Sequence, residues 1–181
     1  CKSVMVTAPL VVLLLDRALL APSWREVWRQ RRGLYLGLFA ASAWGVYLER
    51  GALDPRSAHT LGLGIEGLSS WQYFRTQPQV ILQYLSLAIW PARLCIDYRW
   101  PVENSALGIY GPGLIVLSLL AGSVWLWWNR PPLGALALAI FIILAPTSTV
   151  IPLVDLAFEP RMYLPLAPLV ALVVVGVYWT S

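Results

Sequence analysis

The sequence predicts an all-α fold, a polytopic bundle of transmembrane helices with one amphipathic helix at the membrane interface. Three observations lead to this fold class. Of 181 residues, 59% are hydrophobic and only 12% are charged, and the mean hydropathy is +0.67. A soluble domain carries about 25% charged residues, and one small core cannot bury so much apolar surface. The composition therefore excludes a soluble enzyme, a disordered tail and a secreted disulfide scaffold.

Five apolar segments are the predicted membrane spans, at about residues 4–20, 33–48, 107–128, 133–154 and 162–181. The third and fourth segments each run for 22 residues without a charge. That length suffices, because a helix needs about 20 residues to cross a hydrocarbon core of about 30 Å. The second segment is shorter, and it crosses if Arg32 and Arg50 at its ends extend toward the headgroups.

The segment between Pro78 and Pro91 is predicted to form a surface helix at residues 79–90. Twelve helical residues reach only about 18 Å, which is too short to cross a membrane. Polar side chains recur at helical spacing opposite an apolar face, as in amphipathic interfacial helices; they are Gln72, Thr76, Gln79, Gln83 and Ser86. The alternative is a short tilted span extended back through Tyr73, which would have to bury Arg75.

The distribution of arginine predicts the orientation. Residues 16–32 contain five arginines and two acids, which favours a cytoplasmic location. Within this loop, Asp16 and Arg17 are expected to pair at a helix end. The loop 49–106, which includes the surface helix, and the segment 155–161 then lie on the exoplasmic face. The net charge of +4 has its excess in one juxtamembrane loop, so no nucleic-acid partner is expected.

Two polar clusters on the exoplasmic face are candidate binding residues; they are Asp97 and Tyr98, and Asp155, Glu159, Arg161 and Tyr163. An arginine beside a tyrosine at the membrane boundary suits the phosphate of a lipid carrier, because guanidinium stays charged and offers a planar fork of donors. A nearby carboxylate would orient the arginine or bind sugar hydroxyls. Two plainer interpretations stay open: Glu159 and Arg161 pair with each other, or these residues are interfacial anchors. No metal site is predicted, since His59 has no partner at ligand spacing.

A set of motifs then suggests a family. In chain order they are VMVTAPL at 4–10, TQPQVILQYL at 76–85, WP at 90–91 with LCIDY at 94–98, LAPTS at 144–148 with VIP at 150–152, and DLAFEPRMYLP at 155–165. Together they resemble the membrane portion of bacterial transmembrane proteins that carry C-terminal tetratricopeptide repeats. Those proteins are similar to the eukaryotic transmembrane and tetratricopeptide-repeat O-mannosyltransferases, which belong to the GT-C class of glycosyltransferases.

The resemblance implies a partial GT-C bundle in a bacterial inner membrane. The donor would be a mannose-like sugar on a polyprenyl or dolichyl phosphate, and the acceptor would be a protein hydroxyl on the exoplasmic face. Arg161, with Tyr163 and Glu159, would face the donor, and Asp155, Asp97 and Tyr98 are further candidates. No cofactor is evident, and the resemblance leaves the use of a divalent metal open.

The resemblance also implies that the chain is an internal fragment. The acidic catalytic motif of GT-C enzymes lies in their first exoplasmic loop, which is expected before residue 1, and the repeat domain is expected after residue 181. No general base is therefore predicted within these residues. Two alternatives are a membrane transporter and a non-catalytic membrane anchor for a repeat domain. Proline-kinked spans fit a transporter, although no span carries a charge near its middle.

Overall fold

The computed structural model describes residues 3–49, 69–91, 103, 105–148 and 159–180. These residues are 92% helical and include no strand, which confirms the all-α prediction for the described part of the chain. The chain forms two compact units. The first comprises residues 1–48, 120–146 and 164–181, and the second comprises residues 49–119 and 147–163.

The first unit begins with a short 3-10 helix, Ser3–Thr7, and continues into helix α1, Ala8–Leu19. Helix α2 extends over Trp24–Glu49, and within it Arg31 departs from helical geometry with φ −127° and ψ 17°. The prediction that residues 16–32 form a loop is therefore wrong for most of that stretch. Ser23 explains the early start of α2, because its side-chain oxygen accepts a hydrogen bond from the Glu26 N–H at 3.3 Å.

Helix α3 opens the described part of the second unit and extends over Ser70–Ile89. A capping box specifies its start: the Ser69 hydroxyl accepts from the Gln72 N–H at 3.1 Å, and the Gln72 side chain accepts from the Ser69 N–H at 2.9 Å. The predicted boundary at Pro78 is wrong, since the proline lies inside the helix. It lies one turn after the exposed Phe74, away from the buried face, so it does not interrupt the packing.

The predicted division of this helix into polar and apolar faces also needs correction. The buried side chains of α3 recur at helical spacing, and they are Tyr73, Thr76, Gln77, Val80, Ile81 and Tyr84. Thr76, expected on the polar face, is fully buried, while Ser86 is exposed. With 20 residues α3 is not too short to cross a membrane, so the length argument for a surface helix fails. Its composition still distinguishes it from the apolar helices, and its position at the interface stays a prediction.

Helix α4, Ala106–Asn129, contributes residues to both units and contains Pro112. In the described part of the chain, it is the one helix long and apolar enough to cross a membrane. Ser105 caps its start, because the Ser105 hydroxyl accepts from the Gly108 N–H at 3.1 Å.

Helix α5, Pro131–Leu144, packs against α1 in the first unit. Within the predicted span 133–154, α5 gives way to a 3-10 turn, Ala145–Thr147, and residues 149–154 lie outside the described structure. Pro146 accounts for this, since it has no N–H and its ring crowds the preceding turn. Helix α6, Tyr163–Thr180, follows a 3-10 turn, Glu159–Met162.

Candidate functional site

The second unit brings Arg161 to the hydroxyl of Tyr73, 88 residues earlier in the chain. The Arg161 Nη1 donates to the Tyr73 oxygen at 3.4 Å, and the Tyr73 hydroxyl donates to the Thr147 carbonyl at 2.6 Å. Tyr73 is fully buried on α3, and Arg161 is half-buried in the turn before α6. Tyr73 therefore connects the Arg161 guanidinium to the Thr147 carbonyl, which lies in the 3-10 turn after α5.

The electrostatic state of Tyr73 suits this role. Burial raises the pKa of its hydroxyl above the ordinary value of 10.0, and the positive charge of Arg161 opposes that rise. The hydroxyl is therefore neutral at physiological pH. A neutral hydroxyl has one proton to donate and lone pairs to accept with, so it serves Thr147 and Arg161 together.

Two more polar side chains near this chain of hydrogen bonds have unusual surroundings. Gln77 lies one helical turn after Tyr73 on the buried face of α3, and only 1% of it is exposed. Among the described residues, neither its amide oxygen nor its amide nitrogen has a hydrogen-bond partner. Ser148, which follows Thr147, has a buried hydroxyl in the same condition. Each such group costs about 1–3 kcal/mol while it lacks a partner.

A second network holds the neighbouring part of α3 to the start of α4. The Gln79 amide donates to the Glu103 carboxylate at 2.8 Å and to the Gly108 carbonyl at 3.0 Å. The Glu103 N–H donates to the Thr76 hydroxyl at 3.3 Å, and its carboxylate accepts from the Ser105 N–H at 2.8 Å. This carboxylate is used for structure, since it fixes α3 against the cap of α4.

The predicted site residues have different outcomes. Arg161 lies in the hydrogen-bonded group described above, whereas Tyr163 is 73% exposed at the start of α6. Glu159 begins the 3-10 turn that carries Arg161, and its side chain lies outside the described part of the structure. The remaining candidates, Asp155, Asp97 and Tyr98, also lie outside the described residues. The role of each in donor binding stays a prediction.

Tyr73 and Gln77 are not among the predicted site residues. Their signal is a helical repeat of buried positions at 73, 76, 77, 80, 81 and 84. Polarity conceals this face, because Thr76 and Gln77 are polar and Thr76 was predicted on the polar side of the helix.

The first unit contains a buried charged group whose partners differ from those predicted. Asp16, 4% exposed, accepts hydrogen bonds from the Arg31 guanidinium and from the Tyr35 hydroxyl. The expected Asp16–Arg17 pair is wrong: Arg17 instead donates to the Ala21 carbonyl at 3.1 Å and lies 5.9 Å from the Trp24 ring centroid. The non-helical geometry at Arg31 accompanies its contact with Asp16. A carboxylate with two donors is satisfied, so this group is a structural connection between α1 and α2.

Comparison with protein families, curated proteins and solved structures finds no match for this chain. Among the described residues, no group of three or more His, Cys, Asp or Glu side chains is arranged to hold a metal ion. The described polar groups at the site are the Arg161 guanidinium, the neutral Tyr73 hydroxyl, the Gln77 amide and the Ser148 hydroxyl.

Proposed function

We propose that this chain is part of an integral-membrane glycosyltransferase of the GT-C class, and that Arg161 binds the phosphate of a polyprenyl-phosphate sugar donor. The observation that carries the proposal is the contact between Arg161 and the buried Tyr73 hydroxyl. A phosphate needs a permanent cation with directed donors, and the tyrosine holds this cation in place. The sugar needs neutral partners for its hydroxyls, for which the Gln77 amide is chemically suited.

Exposed apolar surface supports the membrane location. On α4, large side chains point outward around the helix, and the exposed fraction is 86% for Leu107, 68% for Leu114 and 63% for Trp125. An apolar surface of this extent is stable against lipid and unfavourable in water. A polytopic bundle of five spans, with residues 16–32 at the cytoplasmic face and Arg161 at the exoplasmic face, belongs to the same proposal.

The proposed reaction transfers a mannose-like sugar to a protein hydroxyl. The acceptor oxygen attacks the anomeric carbon as the bond to the donor phosphate breaks, and the phosphate leaves with the electron pair of that bond. A carboxylate, expected in the first exoplasmic loop of the full-length protein, takes the acceptor proton. Arg161 stabilises the charge that grows on the departing phosphate.

The experiment compares Arg161→Ala with Arg130→Ala in the full-length protein. Arg130 joins α4 to α5 and is exposed, so its replacement removes the same charge at another helix end. Turnover of a polyprenyl-phosphate mannose donor is measured after carbonate extraction has verified membrane insertion. We expect Arg161→Ala to lower kcat at least 100-fold, since loss of one such charge-stabilising donor costs about 3 kcal/mol, and Arg130→Ala to keep activity. Equal turnover in the two variants would refute the role of Arg161.

A further inference from the structure

An open groove lies on the first turns of α2, in the first unit. Its volume is about 590 Å³, and its lining residues are Trp24, Arg25, Trp28, Arg29 and Arg32. These five residues are named here the basic groove. Trp24, Arg25, Trp28 and Arg29 are related by spacings of three and four, so they share one helix face, and Arg32 lines the same groove just after the kink at Arg31. The groove therefore combines cationic and aromatic side chains on a single surface.

The three arginines of the basic groove carry more positive charge than nearby acidic side chains neutralise. Arg29 pairs with Glu26 at 2.9 Å, and Arg31, outside the groove, pairs with the buried Asp16. Arg25 and Arg32 are both exposed, and neither forms a salt bridge with a described carboxylate. The Glu26–Arg29 pair is itself exposed, so it holds Arg29 only weakly. The charge complement of this surface is an anion.

The two tryptophans identify which kind of anion. Trp24 and Trp28 are 51% and 54% exposed, and tryptophan is enriched where a protein meets the headgroup layer of a membrane. The Trp24 ring lies 6.3 Å from the Trp127 ring, and the Arg17 guanidinium lies 5.9 Å from its centroid, so both groups contribute to its position. The indole rings of Trp24 and Trp28 provide a surface for the glycerol and the upper acyl chain of a phospholipid.

The surface next to the basic groove is apolar. Further along α2, past the kink at Arg31, large side chains are exposed, among them Leu34 at 53%, Leu36 at 59% and Phe39 at 42%. One helix thus passes from a basic, aromatic face to an exposed apolar face. A phospholipid matches this order, because its anionic phosphate is followed by apolar acyl chains. A nucleic acid or an acidic peptide has no such apolar part.

We propose that the basic groove binds the headgroup of an anionic phospholipid in the cytoplasmic leaflet, with Arg25 and Arg32 on the phosphate and Trp24 and Trp28 beside the glycerol. This inference depends on the membrane location proposed above and not on glycosyl transfer. A bound anionic lipid fixes the depth and tilt of the start of α2.

The test is a titration of the purified protein in neutral detergent micelles with fluorescent phosphatidylglycerol. Phosphatidylcholine with the same acyl chains is the lipid control, and inorganic phosphate is added separately as a competitor. The variants Arg25→Gln and Arg32→Gln are compared with Arg130→Gln, which removes one charge outside the groove. We expect each groove variant to weaken phosphatidylglycerol binding about five-fold, and Arg130→Gln to change it less than two-fold.

Two results in the lipid titrations, and a third in the phosphate competition, would overturn the proposal. One is equal binding of phosphatidylglycerol and phosphatidylcholine by the unaltered protein, and the other is an equal loss in Arg130→Gln and the groove variants. Complete competition by millimolar phosphate would assign the groove to a free anion instead of a lipid. If a glutamine variant does not fold, the salt dependence of phosphatidylglycerol binding by the unaltered protein tests the proposal instead. Binding through arginines must weaken between 50 and 500 mM NaCl, and unchanged binding would contradict it. This titration measures lipid binding at the basic groove and the Arg161→Ala assay measures sugar transfer, so either proposal can fail without the other.

Discussion

Gly134 at the start of α5 lies directly against the backbone of Trp127 near the end of α4. A Cβ atom placed on Gly134 would be 2.2 Å from the Trp127 nitrogen and 2.3 Å from its Cα. Backbone atoms cannot rotate away as the end of a side chain can. The close turn between α4 and α5 therefore requires glycine at position 134.

We predict that Gly134→Ala lowers the free energy of unfolding by about 3 kcal/mol, because the two helices must separate to admit the methyl group. Gly122→Ala is the matched control, since nothing lies within 4 Å of a Cβ at that position of α4. Alanine there should stabilise the helix by up to about 1 kcal/mol. Thermal unfolding of both variants in detergent gives the comparison, and equal midpoints would contradict the prediction.

A second prediction concerns the buried Asp16 carboxylate. Arg31→Leu leaves this carboxylate with the Tyr35 hydroxyl and without its cation, so we expect a loss of about 3 kcal/mol in unfolding free energy. The double variant Asp16→Leu with Arg31→Leu removes both charges and should be more stable than the single variant. Chemical unfolding of the unaltered protein, Arg31→Leu, Asp16→Leu and the double variant tests this ordering. A loss in the double variant equal to the sum of the two single losses would show that the side chains are not coupled.

The third prediction is a pH dependence that originates at Tyr73. Its pKa in the folded protein lies above the ordinary value of 10.0, so the unfolded state releases the hydroxyl proton first as the pH rises. The stability associated with the neutral hydroxyl is complete below pH 10, and it is lost as the pH rises above 10 toward the raised folded-state pKa.

Because the chain contains eight tyrosines, the measurement is the difference between the unaltered protein and Tyr73→Phe. Thermal midpoints from pH 8 to pH 11 should fall more steeply in the unaltered protein. Tyr110→Phe, at a position 71% exposed, is the control and should follow the unaltered protein. Parallel curves for the unaltered protein and Tyr73→Phe would contradict the assignment.

The fourth prediction concerns the start of α3. Ser69→Ala removes the hydroxyl that accepts from the Gln72 N–H, and we expect a loss of about 1 kcal/mol in unfolding free energy. Ser86→Ala removes an exposed hydroxyl from the same helix and should cost less than half as much. A loss in Ser86→Ala equal to that in Ser69→Ala would show that the cap does not define the helix start.

Two prolines show how far sequence alone predicts this fold. Apolar composition was sufficient for the all-α class, yet Pro78 lies inside α3 while Pro146 follows the end of α5. From the sequence alone, both prolines have the same tendency to break a helix. The difference depends on what surrounds each proline, since Pro78 follows a strong cap and lies away from the buried face. That information exists only once the helices are packed.

The candidate site was predictable in part. The sequence alone predicts Arg161 as a candidate, because a cation at a membrane boundary is costly unless it is paired or solvated. Its contact with Tyr73 could not be predicted, because no local pattern connects residues 88 positions apart. The pairing of Asp16 with Arg31 was missed for a similar reason, since adjacency in sequence favoured Arg17.

The distance along the chain between Tyr73 and Arg161 has a consequence for folding order. Closing a loop costs conformational entropy that grows with its length, and this contact joins residues 88 positions apart. The capping box of α3 needs only four residues, so that helix can form early in synthesis, whereas the contact cannot exist before residue 161 has been made. The contact between Arg161 and Tyr73 is therefore expected to form late, after helix α3 has formed. Substitutions that slow the docking of the Glu159–Met162 turn should leave α3 helical, with the guanidinium not yet in place.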